Sequence, residues 1–399
     1  MTTALAARET LRLCTAGSVD DGKSTFVGRL LHDTKSVLAD QLASVAKTSA
    51  ERGFAGLDLS LLVDGLRAER EQGITIDVAY RYFATDRRAF ILADTPGHVQ
   101  YTRNTVTGVS TSQVVVVLID VRHGVVEQTR RHLTVAGLLG ITTVIVAVNK
   151  VDLVDYSEDI YRGIEAEVTG TAVAAGISDV HVVPISALLG DNVAVPSENT
   201  PWYEGPTVIE LLETIDVSDN KVQDANLRFP IQYVIRDHAS DYRGYAGRIA
   251  TGSITVGEIV HTPSGIAAHV TQIDTPDGPV ESAPAGSSVT LVLDRDIDLV
   301  RGDLITNHNH PESKRTFEAT VVGLSEAAVR ANSVVNIRYG TAVVRGRIDH
   351  DVTLNQIERV RVELAQPLPV EPYNFRGAVG SFLIIDPAHG DTLAAGLVE

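Results

Sequence analysis

The chain has 399 residues and a formal net charge of −17, from 34 Lys and Arg against 51 Asp and Glu. That length exceeds one ordinary core and predicts two or three domains, while the acidic balance argues against a broad phosphate-binding face for nucleic acid. Hydrophobic content is 44%, the longest apolar runs (Val114 to Ile119, Thr143 to Val148) are only strand-length, and Met1 to Thr10 has no apolar core. No membrane span or secretory signal is expected, and the cytoplasm follows as the compartment.

Residues 9 to about 215 alternate short apolar runs with segments of helical period, the pattern of a doubly wound, mostly parallel sheet. Leu11 to Thr15 reads as the first strand and Lys23 to Leu31 as its helix. Cys14, the single cysteine, lies in that strand and is expected to be a core thiol with no disulfide partner. Helical character over Ser36 to Ser49 and Leu59 to Glu71 marks an insertion. Ala89 to Ala93, Val114 to Asp120, Thr143 to Asn149 and Val180 to Pro184 read as buried parallel strands. Asp191 to Pro206, rich in Pro, Asn and Ser and holding the only Trp, reads as a loop closing the domain. Beyond about Asn220 the pattern becomes short alternating segments punctuated by Gly: Ile231 to Ile235, Tyr245 to Ala250, Ile254 to Val256, Ile259 to Thr262 and Val289 to Leu293. A second such series runs from Phe317, with Val334 to Tyr339, Thr341 to Ile348, Arg359 to Leu364 and Phe382 to Ile385. Two small antiparallel β-barrels are therefore expected after the α/β domain, with domains at 1–219, 220–309 and 310–399.

Three strings carry the chemistry. Gly17-Ser18-Val19-Asp20-Asp21-Gly22-Lys23-Ser24-Thr25 has the G-x-x-x-x-G-K-S spacing that bends backbone N–H groups around phosphates at a helix N-terminus. Lys23 is expected to reach the β- and γ-phosphates and Ser24 to ligate Mg²⁺. Asp94-Thr95-Pro96-Gly97-His98 follows an apolar strand, so Asp94 would sit at the carboxyl edge of the sheet and support Mg²⁺. The Gly97 N–H would sense the γ-phosphate, and His98 would orient the attacking water. Thr75, between these two strings, is the candidate third Mg²⁺ ligand that closes in the GTP state.

Asn149-Lys150-Val151-Asp152 ends another apolar strand. The Asp152 carboxylate would accept the N1 and N2 protons of guanine, a pattern adenine does not present. Ser186-Ala187-Leu188 follows the next strand, and the Ala187 N–H would donate to guanine O6. The chain has 6 Lys against 28 Arg, yet Lys23 and Lys150 stand inside these strings, where a compact ammonium suits the loop. The three strings together imply a GTPase and make the first domain an α/β P-loop GTPase domain.

With Leu62-Val63-Asp64-Gly65-Leu66-Arg67-Ala68-Glu69-Arg70-Glu71-Gln72-Gly73-Ile74-Thr75-Ile76-Asp77-Val78-Ala79-Tyr80-Arg81-Tyr82-Phe83, the paired Asp20-Asp21 and Arg243-Gly244-Tyr245-Ala246-Gly247, the chain resembles translation-factor-type GTPases. Within them it is similar to the GTPase subunits of bacterial two-subunit sulfate adenylyltransferase, over nearly its whole length. The resemblance implies a heterodimer with a catalytic ATP sulfurylase subunit that binds ATP and sulfate. That partner makes adenosine 5′-phosphosulfate and pyrophosphate, while this chain couples the uphill step to GTP hydrolysis. Val99 and Val106 depart from the acidic residue and the Met usual at those positions. No second phosphate loop follows, so the adenosine-phosphosulfate kinase fused to some members is not expected. A translation factor carrying aminoacyl-tRNA is the rival reading, and a GTP-binding scaffold a second. Acidity and the 62–83 stretch count against the former; the latter would show no effect of His98→Ala on partner activity.

Overall fold

The computed structural model describes residues 9–51, 53–54, 56–63, 78–96, 102–216, 220–237, 242–374 and 378–399. The chain divides into two units, Met1–Val217 and Ser218–Glu399.

In the first unit, β1 (Thr10–Ala16) leads into α1 (Lys23–Asp33) and α2 (Ala39–Glu51). Then come β2 (Ala79–Ala84), β3 (Ala89–Asp94), α3 (Thr102–Ser110), β4 (Val114–Asp120), α4 (Glu127–Leu138), β5 (Thr143–Asn149), α5 (Glu158–Ala174), β6 (Asp179–Pro184) and α6 (Val208–Thr214). The six strands form one sheet in the order β2-β3-β1-β4-β5-β6. All neighbours are parallel except β2 and β3. β4 and β5 are buried at every residue, because helices cover both faces of a parallel sheet. Alternate side chains serve two cores: Leu13, Leu92, Val116 and Leu118 on one face, Cys14, Val115, Val117 and Ile119 on the other. Each of these large aliphatic side chains contributes about 1.5–3 kcal/mol when fully buried. Cys14 is fully buried as expected, and desolvation pushes its thiol up to about 12.

Two departures concern the segment before β3. The helical pattern over Leu59 to Glu71 yields a single 3-10 turn, Leu59–Leu62, among the described residues, capped by Asp58 accepting from the Ser60 N–H (3.2 Å). That turn lies against α1 at Gly28, where a Cβ would stand 2.1 Å from the Leu59 carbonyl oxygen. β2 has no counterpart in the predicted strands. It is an antiparallel edge strand with Tyr80 and Tyr82 exposed, and its half-buried pattern lacks the continuous apolar run of its neighbours.

The second unit opens with the short helix α7 (Asn220–Gln223). Its first sheet contains β7 (Arg228–Asp237), β8 (Tyr242–Arg248), β10 (Ile259–His261), β11 (Ala267–Thr275), β12 (Gly278–Val280), β14 (Ser288–Leu293) and β15 (Leu304–Thr306). The hydrogen-bonded order β10-β15-β7-β8-β14-β11 returns to β10, so the strands close on themselves, with β12 attached to β11. β9 (Ser253–Thr255) pairs separately with β13 (Ser282–Pro284). The later strands are β16 (Ser313–Gly323), β17 (Val335–Tyr339), β18 (Ala342–Ile348), β19 (Ile357–Pro369), β20 (Ser381–Ile385) and β21 (Thr392–Val398). They form a closed barrel in the order β16-β19-β18-β17-β20-β21. Each ring has its own core, around Phe229, Tyr245 and Ile273 in the first and Phe317, Ile337 and Val362 in the second. A two-pronged ion pair joins them: Arg228 Nε and Nη2 donate to Glu371 Oε2 and Oε1, both at 2.7 Å. The architecture is the expected one: a doubly wound α/β domain followed by two small antiparallel barrels.

Candidate nucleotide-binding site

Parallel register brings the motifs to one edge. Thr15 lies opposite Asp94 on the β1/β3 ladder, and Asp120 opposite Asn149 on the β4/β5 ladder. The loops after β1, β3, β4, β5 and β6 therefore leave the same carboxyl edge of the sheet, where ligands of such folds bind.

Gly17 to Gly22 form the turn between β1 and α1. Gly22 has φ 90°, and a Cβ there would lie 2.4 Å from Asn149 Nδ2, so only glycine fits. It caps α1 with no side-chain hydrogen bond at the helix N-terminus, which leaves the first-turn N–H groups and the helix dipole to an anion. Ser24 and Thr25 occupy that first turn, half-buried, and Val19 is exposed on the loop. Lys23 is buried, and its Nζ donates to the carbonyls of Gly17 and Ser18, each at 2.9 Å. Burial pushes its pKa below the ordinary lysine value, against the pull of Asp94, Asp21 and Asp20.

The acidic pair in this loop splits into two jobs that its sequence did not distinguish. Asp20 has φ 70°, and its carbonyl accepts from Lys150 Nζ at 2.5 Å. Asp21 turns inward and is buried; its carboxylate accepts from the Ser18 N–H and, at 3.4 Å, from the Asp120 N–H. Desolvation raises the Asp21 pKa despite these donors and the nearby Lys23.

Asp94 ends β3 fully buried, and Thr15 Oγ1 donates to its Oδ1 at 2.8 Å. Asp94 and the Ser24 hydroxyl are hard oxygen donors that suit Mg²⁺, which ordinarily takes one or two protein ligands and fills its shell with phosphate and water. Thr75, Gly97 and His98, together with Val99, lie outside the described residues. Val106, the other departure, is buried on α3.

Asn149 is the joint of the site. Its Nδ2 donates to the Asp21 carbonyl (2.8 Å), and its Oδ1 accepts from the Ala187 N–H (3.0 Å). One buried side chain thus links the phosphate loop to the loop after β6. The Ala187 N–H, read from sequence as a donor to guanine O6, is engaged by Asn149 here. Ser186 is buried, and its Oγ accepts from the Leu189 N–H (3.2 Å), while the Leu188 side chain is exposed. Arg29 on α1 donates to the carbonyls of Ala187 (3.0 Å) and Leu188. Lys150, at φ 65°, pairs with Asp120 Oδ2 at 2.9 Å. Asp152 is half-buried on the 3-10 turn Val151–Val154.

Asp120, Arg122, Asn192 and His132 were not singled out in the sequence. Burial opposes the charge of Asp120, but the side-chain and backbone hydrogen bonds of Arg122 and those of Lys150 outweigh it and hold the carboxyl well below its ordinary value. Arg122 grips Asp120 through Nε (3.0 Å) and Nη2 (2.6 Å). The acid that ends the apolar run of β4 was the available signal. His132, buried on α4, hydrogen-bonds the backbone of Gly17; burial, then the Lys23 charge, depresses it to about 3 and keeps it neutral. Asn192 Nδ2 donates to the Pro184 carbonyl and to Thr200 Oγ1, and pins the loop that follows β6. Trp202 and Tyr203 pack in that loop against Tyr161, with ring centroids at 5.1 and 6.3 Å.

Residues 8–221 match the family of the elongation factor Tu GTP binding domain, and residues 334–399 the GTP-eEF1A C-terminal domain-like family. The chain is 47% identical over 411 residues to the bifunctional enzyme CysN/CysC of Mycobacterium tuberculosis, covering 97% of this chain and 67% of that protein. It is 47% identical to sulfate adenylyltransferase subunit 1 of Bacteroides fragilis and 46% identical to that of Chromobacterium violaceum. Both alignments cover 98% of this chain and 86% of the relative. Identity of this degree extends over nearly the whole chain, and the chain accordingly belongs to the sulfate adenylyltransferase subunit 1 family of translation-factor-type GTPases.

Proposed function

We propose that this chain binds GTP with Mg²⁺ and couples its hydrolysis to formation of adenosine 5′-phosphosulfate and pyrophosphate from ATP and sulfate on a partner catalytic subunit. The observation that carries this reading is the joining of the phosphate loop to the loop after β6 through Asn149, in a chain that aligns over 98% of its length with sulfate adenylyltransferase subunit 1 of B. fragilis. Its working units are 1–219, 220–309 and 310–399. No described helix is long and apolar enough to cross a membrane, and we assign the work to the cytoplasm, with neither nucleic acid nor membrane as partner.

In this mechanism the N–H groups of Gly17 to Thr25 cradle the phosphates, and Lys23 neutralises charge on the β- and γ-phosphates. Ser24, Thr75 and Asp94 would hold Mg²⁺, which supplies charge neutralisation across the same phosphates when bound. The Gly97 N–H contacts the γ-phosphate, and His98 orients the attacking water. Asp152 accepts the guanine N1 and N2 protons. The Ala187 N–H is the donor to O6, which requires it to share or leave Asn149 Oδ1. Coupling follows if the γ-phosphate-ordered segments around Thr75 and His98 favour one state of the partner interface over another.

His98→Ala is expected to slow hydrolysis at least about a hundredfold, the size of a lost proton-handling or water-orienting group, while the GTP dissociation constant stays within a few-fold. Equal loss of binding, read by titration with a fluorescent GTP analogue, removes that assignment. Mixing the chain with the ATP sulfurylase subunit is expected to make sulfate adenylylation GTP-stimulated. Formation of adenosine 5′-phosphosulfate by this chain alone, or GTP-dependent copurification of tRNA, overturns the division of labour.

A further inference from the structure

The guanine-reading carboxylate sits on an unusually constrained piece of backbone. Asp152 belongs to a single 3-10 turn, Val151–Val154, bounded on one side by Lys150 at φ 65° and on the other by Asp155 at φ 51° and Tyr156 at φ 54°. None of the three is glycine, and each left-handed non-glycine residue carries a conformational cost of order 1 kcal/mol or more that the surroundings must offset. Lys150 is held by Asp20 and Asp120. The other end is held through Tyr156.

Tyr156 makes three ties. Its N–H returns to the Val151 carbonyl at 2.9 Å, closing the turn on itself. Its carbonyl accepts from Trp202 Nε1 at 3.1 Å. Its hydroxyl donates to Asp191 Oδ2 at 2.9 Å. Asp191 lies at the far end of the loop that opens with Ser186-Ala187-Leu188, and its other carboxylate oxygen accepts from Ser197 Oγ at 2.6 Å and Asn199 Nδ2 at 3.4 Å. Its own carbonyl accepts from the Ser186 N–H at 3.3 Å. Asp191 thus gathers one guanine loop, and Tyr156 attaches the other to it. The Tyr156 phenol is pushed up to about 12 by burial and by Asp191, so it remains a donor at neutral pH.

We propose that the Tyr156–Asp191 hydrogen bond is a specificity-determining contact: it positions Asp152 for the exocyclic 2-amino group of guanine by locking the loop after β5 to the loop after β6. The inference rests on the base-reading role proposed for Asp152. Neither residue touches the base in this account; both are positioning residues. Asn149 joins the phosphate loop to Ala187, whereas the Tyr156–Asp191 pair is a side-chain-to-side-chain tie between the segment carrying Asp152 and the carboxylate that gathers the loop after β6.

Inosine triphosphate separates positioning from general stability, because it keeps the N1 proton and lacks the 2-amino group. Tyr156→Phe preserves the ring that packs in the core beside β5 and removes only the hydroxyl. The ratio of the inosine triphosphate to the GTP dissociation constant is expected to fall about three- to tenfold, the transmitted part of a hydrogen bond to a charged acceptor. The thermal melt is expected to move little. Asp191→Ala should lower the ratio similarly, and the double variant should be no worse than either single one, as for two members of one contact. Asp191→Asn, which keeps an amide oxygen for Tyr156, should retain an intermediate ratio. An unchanged ratio in Tyr156→Phe, or equal loss of both affinities, overturns the pair if Asp152→Asn nevertheless abolishes GTP preference. Unchanged preference in Asp152→Asn overturns the base-reading role, and the pair with it.

Discussion

Asp152→Asn is expected to reverse the base preference of this protein. In the proposed base-reading role the carboxylate accepts from both N1–H and the 2-amino group, whereas an amide presents one acceptor and one donor, so a donor of the side chain would meet a donor of guanine. Two contacts become one contact and one clash in a half-buried site, and sites built on such polar pairing discriminate by about 10⁴-fold or more. We expect GTP affinity to fall by about a thousandfold or more, and xanthosine triphosphate, whose C2 carbonyl suits the new amide donor, to become the preferred nucleotide. Competition of both nucleotides against a labelled analogue reads the outcome, and retained preference for GTP removes Asp152 from base recognition.

Lys23→Met is expected to weaken nucleotide binding strongly and to lower stability as well. Lys23 is buried, its charge is desolvated, and its fixed partners are the loop carbonyls of Gly17 and Ser18. Methionine keeps the buried stem but leaves the Gly17 and Ser18 carbonyls and the nearby Asp21 and Asp94 carboxylates without the ammonium, so the melting temperature of the nucleotide-free protein should fall. GTP affinity should fall by about 10²- to 10³-fold, since charge-assisted hydrogen bonds to phosphate contribute about 1.5–3 kcal/mol each and Lys23 would make more than one. Hydrolysis should be lost with it. Affinity within tenfold of the wild type, measured by calorimetry, would show that Lys23 braces the loop rather than gripping the nucleotide.

Much of the site was legible because parallel strands announce themselves. β4 and β5 are continuous apolar runs that end in Asp120 and Asn149, and strand ends of this kind locate the carboxyl edge before any coordinates exist. β2 escaped notice for the opposite reason: its residues alternate between half-buried and exposed, and Tyr80 to Phe83 read as part of a motif rather than a strand. The paired Asp20-Asp21 was visible as a family feature, yet which aspartate faces inward depends on the φ of Asp20 and on the Asp120 N–H across the sheet. His132 lies more than a hundred residues from Gly17 in sequence, and no local pattern ties a helical histidine to a phosphate loop.

The residue order alone marked out a P-loop GTPase domain and two barrels and pointed to Asn149 to Asp152 as the base-reading loop, since spacing and period are local properties set by backbone geometry. Tertiary structure decided which groups serve as ligands to one another: Asn149 joining Asp21 to Ala187, Arg122 and Lys150 converging on Asp120, and Tyr156 tied to Asp191. Three of those five contacts span 35 to 128 residues. They form because buried donors and acceptors must find partners wherever the fold brings them within reach, and the sheet register, a collective property of the core, determines who is near whom.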